Sequence, residues 1–186
     1  MKKIFLLLTM VSTLSFSSTG TNVTQEANVT LMGDKAIKKM MKTLKEAVMG
    51  AMKDGGPKKT AVVCSENATS IEKSVNDTFS NITIKRATLK PRNPDNMATA
   101  DEAKVLEEMA KTNSKELVTV KLGDNHYKVY HPIHMMKMCV KCHGDDKSRN
   151  KEADAIIQAK YKDDKANGYK EDDFRGAFVA DINLSK

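Results

Sequence analysis

The segment Cys139-Val140-Lys141-Cys142-His143 leaves this chain least freedom. Two cysteines separated by two residues, with a histidine directly after the second, form the attachment signature of a c-type haem. The spacing has a physical reason. Two thiols must reach the two vinyl groups on adjacent edges of one porphyrin, and the next imidazole then falls under the iron. A fold built around this segment must hold one flat macrocycle permanently beside it. One such segment implies one covalent haem. Other readings of a Cys pair are open to test. A zinc ribbon needs a second pair, and the chain has three cysteines in all. A thioredoxin-type pair belongs in a βαβ context and does not require the adjacent His. A simple disulfide between Cys139 and Cys142 stays open.

The N-terminus bears on the same question. Lys2 and Lys3 precede the apolar run 4–8, and small residues follow at Ser15, Ser17 and Ser18. This has the form of a cleaved secretory signal, with cleavage expected after Ser17. No run reaches the ~18 apolar residues of a membrane span, and no cysteine lies near the cleavage site. The expected location is therefore a bacterial periplasm, where c-type haem is attached after export. That compartment is oxidising, so the third cysteine, Cys64, needs an occupation.

The remaining 18–186 fit one domain. Residues 18–33 are polar and aperiodic and read as a flexible tail, leaving 34–186 as the haem domain. Charged residues make up 30% of the chain and hydrophobic ones 40%, which is ordinary for a globular protein. The net charge of +7 could point to nucleic acid, but both signs are interspersed and two of the lysines lie in the signal. No nucleic-acid partner is expected.

Asp34 is a candidate N-cap, and Ile37, Met40, Met41, Leu44, Val48, Met49 and Met52 mark one face of the helix after it. Gly55-Gly56-Pro57 breaks it. In a second helix Ala61, Cys64, Ala68, Ile71 and Val75 recur every three or four residues, which places Cys64 on the buried face. A strand is expected within 79–89, a Pro-stiffened loop at 89–96, and a helix over 99–111 with Val105, Leu106 and Met109 inward. Residues 117–122 and 126–130 alternate as a hairpin. Residues 131–149 look irregular. A short helix at 153–161 and a strand at 177–184 follow. Helices first and hairpin strands later give an α+β class with an antiparallel sheet.

His143 supplies one axial ligand, and the distal position decides what the iron can do. Methionine there gives a high-potential carrier. Met135, Met136 and Met138 crowd Cys139 and are expected to line the pocket, while His131 and His134 are near enough to compete. His126 is expected to be exposed. Cys64 is the odd thiol once two are used for attachment. Its plain role is a small buried hydrophobe, and its functional role is a distal thiolate.

Four segments, in order, carry a family resemblance: AVVCSENA at 61–68, LKPRNPDN at 89–96, HPIHMMKMCVKCHG at 131–144, and YKDDKANGYKEDDFRGAF at 161–178. The chain resembles single-haem c-type proteins with a PAS-like fold, long catalogued as a domain of unknown function. The resemblance implies haem in a PAS-like pocket, with His143 proximal and the helical Cys64 able to be distal. It also implies a redox or gas sensor. The unusual run of Met and His before Cys139 keeps a ligand swap open. Lys90, Arg92 and Arg175 are candidate partners for the haem propionates, since buried carboxylates need charge-assisted donors. Two functions are carried forward: a redox- or gas-responsive haem protein, whose partners are a small gas or a redox protein, and a small electron-transfer cytochrome with Met or His distal. No acid/base groups can be placed for an enzyme.

Overall fold

The structure, a computed structural model, describes residues 19–185. The signal expected at 1–17 lies outside them. The expected tail is corrected: the helix α1 spans Thr19–Val62, so residues 19–33 are helical and Asp34 lies inside the helix, not at its cap. Val29, Ala36, Ile37 and Met40 are buried, with Met32 packed beside them. Their spacing forms a narrow stripe that docks on the sheet. Gly33 sits at the closest approach, where an added Cβ would lie 2.7 Å from Val129 Cγ2. A stripe with so few large residues is hard to see against polar Asn and Thr neighbours, and docking against the sheet makes it helical.

Asp34 is nearly buried. It accepts from His131 Nδ1 at 3.0 Å and pairs with Lys38 at 2.5 Å. Burial opposes its ionisation, but Lys38 and His131 outweigh that and hold the carboxyl below its usual range. α1 is broken where expected. Gly55 and Gly56 leave helical geometry, Gly56 at φ 62°, a left-handed conformation that glycine adopts without strain. Pro57 then opens the next helical segment.

α1 leads into a single π turn, Val63–Asn67, and then α2, Ala68–Asn76. The strands are β1 (Ile82–Ala87), β2 (Val118–Gly123), β3 (His126–His134) and β4 (Phe174–Asn183). They form one sheet in the order β1-β4-β3-β2, antiparallel throughout. The α+β class with an antiparallel sheet and N-terminal helices is thus observed. β3 runs four residues beyond the expected strand and takes His131 and His134 out of the loop. Pro132 disguises the extension; it pairs with Ala177 of β4.

The sheet is covered on both faces. Ile84, Tyr127, Val129 and Ile182 pack under α1. Tyr130, Val179 and Ala87 pack under Leu106 and Met109 of α3 (Ala100–Lys111). Tyr127 and Tyr130, of opposite parity on β3, therefore point to opposite faces. Among the helical methionines, Met40 and Met109 are core residues, whereas Met49 is exposed. α3 is fixed by a capping box of Thr99 and Glu102. Glu102 is fully buried and accepts from Lys85 on β1 and Lys128 on β3, each at 2.8 Å. Burial tends to raise its pKa, but these cations and the Thr99 N–H bring it down to about 2.

Candidate functional site

Cys139 and the one-turn helix α4, Val140–His143, carry the two thiols and the histidine of the CxxCH motif. The turn is held by Cys142 N–H to Cys139 O at 3.0 Å and His143 N–H to Cys139 O at 2.9 Å. Thiols three residues apart and an imidazole at the fourth thereby share one side of a turn. Gly144 follows, where a Cβ would meet Ser148 Oγ at 2.2 Å and the Val140 carbonyl at 2.7 Å. The 161–169 segment closes against this turn: Gly168 and Tyr169 N–H groups donate to Gly144 and His143 carbonyls, both at 2.9 Å.

The imidazole of His143 is held in one tautomer. Its Nδ1 lies 2.7 Å from Ala166 O. A carbonyl only accepts, so Nδ1 holds the proton and Nε2 presents its lone pair. Burial, reinforced by Arg92 and Arg175, pushes the imidazole pKa well below its ordinary value, so the ring is neutral. A backbone carbonyl on the far nitrogen is the usual way of orienting a metal-bound imidazole.

Arg92 plays a different part from the expected one. Its Nε pairs with the fully buried carboxylate of Asp164 at 3.1 Å. Its Nη2 donates to Cys142 O at 2.7 Å and Ala166 O at 3.3 Å. Its Nη1 approaches His143 Nε2 at 3.4 Å. Arg92 thus ties three segments together, and its charge is already matched by Asp164.

Arg175 and Lys90 remain available. Neither has an acidic partner among the described residues. Arg175 Nη1 donates to Thr88 Oγ1, and its guanidinium lies 5.4 Å from the Tyr169 ring. Lys90 Nζ lies 4.6 Å from the same ring and donates to Asn167 O. Burial lowers the Arg175 pKa, the sign of a desolvated cation lacking an anion. Tyr169, edge-on to His143 at 6.5 Å, is a site residue that the sequence reading missed. Its signal was a lone aromatic in a turn-rich segment. Gly176, next to Arg175, has φ 145° and faces the Ala87 carbonyl, only 2.3 Å from an added Cβ. Its missing Cβ lets β4 pass close to the end of β1.

Cys64 is corrected from buried to exposed. It falls in the π turn, whose i→i+5 spacing inserts one residue per turn. Ser65 takes the inward position instead. Cys64 is nonetheless crowded: surrounding protein raises its pKa, opposed by the nearby charges of Arg86 and Arg92. Ala61, three residues before it, belongs to the cluster that Cys142 packs against. Burial also raises Cys139 and lifts Cys142 to about 11. Helix α5, Lys151–Lys160, bridges the two regions: Ala153 and Ile157 pack with Ala61, Cys142 and Tyr161.

The other candidates lie elsewhere. His131 is taken by Asp34. His134 stands against Phe174, ring centroids 5.9 Å apart, with Lys115 and Asp172 as its charged neighbours. His126 contacts Asp181 at 2.8 Å and is partly exposed. Met135 is buried with Cys139, Ala166 and Tyr169 and lines the site as expected. Met136 is exposed. Among the described residues no group of three or more His, Cys, Asp or Glu could hold a bare metal ion, and no helix is long and apolar enough to cross a membrane.

These residues fit a c-type haem. They offer two unpaired thiols, a neutral imidazole whose Nε2 lone pair meets Arg92 Nη1, a cationic pair without acids among the described residues, and a third, exposed thiol in the π turn. Fold and site together define an α+β domain with an antiparallel sheet, a long N-terminal helix and a CxxCH turn at its flank. The chain belongs to the Tll0287-like family, whose sequence model matches residues 17–183. Its fold resembles the crystal structure of the cyanobacterial haem protein Tll0287, at 22% identity and a TM-score of 0.60. The alignment covers 80% of this chain and 91% of that one. No curated protein matches.

Proposed function

We propose that this chain is an exported, periplasmic single-haem c-type protein that responds to redox state or to a small gas. Haem binding is supported by the family and by the fit of the site. Cys139 and Cys142 would form the thioethers: each S–H adds across a vinyl group, sulfur bonding to one carbon and the hydrogen going to the other. His143 Nε2 would be the proximal ligand, released from Arg92 Nη1 and oriented by Ala166. Arg175 and Lys90 would take the propionates. Haem supplies a one-electron Fe(III)/Fe(II) couple.

Cys64 is our choice for the distal ligand. The observation that carries this is the π turn, which turns the thiol out of the core on a helix whose Ala61 belongs to the cluster that Cys142 packs against. Its raised pKa keeps it protonated at neutral pH without a metal, so thiolate formation is linked to ferric iron. An anionic ligand favours Fe(III), which implies a low potential and weaker ligation on reduction. That weakening is what a sensor needs. Within this reading no enzyme activity is assigned.

Ferric absorption and electron paramagnetic resonance spectra test the assignment. A low-spin thiolate spectrum, lost in Cys64→Ala, is expected, as is CO binding after reduction. An unchanged spectrum in Cys64→Ala would transfer the role to another side chain. It would favour the electron-transfer reading with Met or His distal.

A further inference from the structure

The spacing of Ala61, Cys64, Ala68, Ile71 and Val75 fits a regular α-helix with Cys64 on its buried stripe. The structure instead holds 63–67 as a π turn with Cys64 exposed. Something must select this register, because a π turn gives up regular i→i+4 bonds, and displaced carbonyls need other donors. The donors come from the end of α5. Lys160 Nζ donates to Ser65 O, and Tyr161 Oη donates to the same oxygen at 3.2 Å. Lys160 also lies over the Tyr161 ring, 5.8 Å from its centroid. Two donors from neighbouring residues thus converge on one carbonyl, one residue after the cysteine.

The other end of α5 is tied to the attachment turn. Asn150 N–H donates to Lys141 O at 2.8 Å, and Asn150 Oδ1 caps the helix through Ala153 N–H at 3.0 Å. Between these ends Ala153 and Ile157 pack on Cys142 and Ala61. A ten-residue helix is about 15 Å long and stiff.

We propose that α5 is a strut between the CxxCH turn and the Cys64 turn, and that Lys160 and Tyr161 are positioning residues that hold the π register and so present Cys64. This rests on Cys64 being the distal ligand. Without the two donors, 63–67 relaxes towards the regular helix. Cys64 then turns inward with the stripe that carries Ala61 and loses the outward position it has in the π turn.

The test uses the full haem-loaded chain with Tyr161→Phe, Lys160→Met and both together. Imidazole titration of the ferric protein displaces Cys64 and reads the ratio of ligated to unligated forms, even where the ligated form dominates. Losing both hydrogen bonds lowers that ratio, and with it the half-saturating imidazole concentration, by about tenfold. Lys160→Arg keeps a donor and restores the wild-type value. Tyr161→Phe deletes one hydroxyl and preserves packing, so it gives a folded variant with a smaller shift of the same sign. A lowered melting temperature with unchanged titration and ferric spectrum overturns the proposal, because α5 is then only structural. Cys64→Ala is measured in parallel. If it leaves the ferric spectrum unchanged, the ligand assignment falls and the clamp with it. If it changes the spectrum while the double variant titrates as wild type, the clamp alone falls.

Discussion

Arg92 distinguishes a clamp within the protein from a haem-propionate partner. Its side chain is 11% exposed, and that of its partner Asp164 is 0% exposed. Replacing Arg92 by Met leaves the buried carboxylate without a counter-ion, a change that costs about 3–5 kcal/mol. Cys142 O loses its donor as well, adding about 1 kcal/mol. Ala166 O keeps the His143 Nδ1 bond, so it adds little. The expected total is about 4–6 kcal/mol, a fall in melting temperature of roughly 8–24 °C for a domain of this size. Asp164→Asn is expected to destabilise by a similar order, because it leaves the guanidinium uncompensated. The double variant removes both charges, so its loss falls short of the sum by about 2–3 kcal/mol. Urea unfolding of wild type, both single variants and the double variant supplies the cycle. Single losses below about 1 kcal/mol, or strict additivity, would place Arg92 among ordinary surface cations and refute the clamp.

Arg175 predicts the opposite pattern. Arg175→Gln breaks no ion pair and leaves the fold near wild-type stability by urea unfolding, but it removes a positive charge close to His143. The haem midpoint potential should therefore fall; a rise or no change would remove Arg175 from the anion site. Glu102 governs acid stability. Its pKa falls from 4.5 to about 2 on folding, so its contribution is fully present above pH 4.5 and is lost as pH falls towards 2. Discounted for the partly exposed Lys85, this is about 2 kcal/mol. Glu102→Gln should abolish that part of the pH dependence in a series of urea titrations. Gly33→Ala tests the docked N-terminal helix. The contact with Val129 costs about 1–3 kcal/mol against roughly 1 kcal/mol gained in helix propensity, so net destabilisation by thermal melting is expected. A stabilised variant would mean that residues 19–33 are not held on the sheet.

Much of this protein is local and therefore legible in the chain. The spacing of Cys139, Cys142 and His143 follows from the porphyrin they would hold, and it needs only one helical turn to assemble. Alternation revealed the β2–β3 hairpin and the core of β4, because period-two burial is written residue by residue. The Gly55-Gly56-Pro57 break is likewise a property of those residues' own backbones. What the chain alone did not disclose depends on partners distant in sequence. Residues 19–33 are helical because Val29, Gly33 and Ile37 dock on strands more than ninety residues later. Arg92 looked like a free cation until Asp164, seventy-two positions away, claimed it. His131 looked like a loop ligand until β3 lengthened and Asp34 took it. Cys64 is the clearest case. Its spacing favours the buried stripe, and only the π turn, met by Lys160 and Tyr161 from α5, turns it outward. The sequence by itself determined the CxxCH spacing and the α+β class, since both rest on short-range pattern. The tertiary structure decided which thiol, which cations and which helix end surround the attachment turn, because burial and charge pairing are set by neighbours in space.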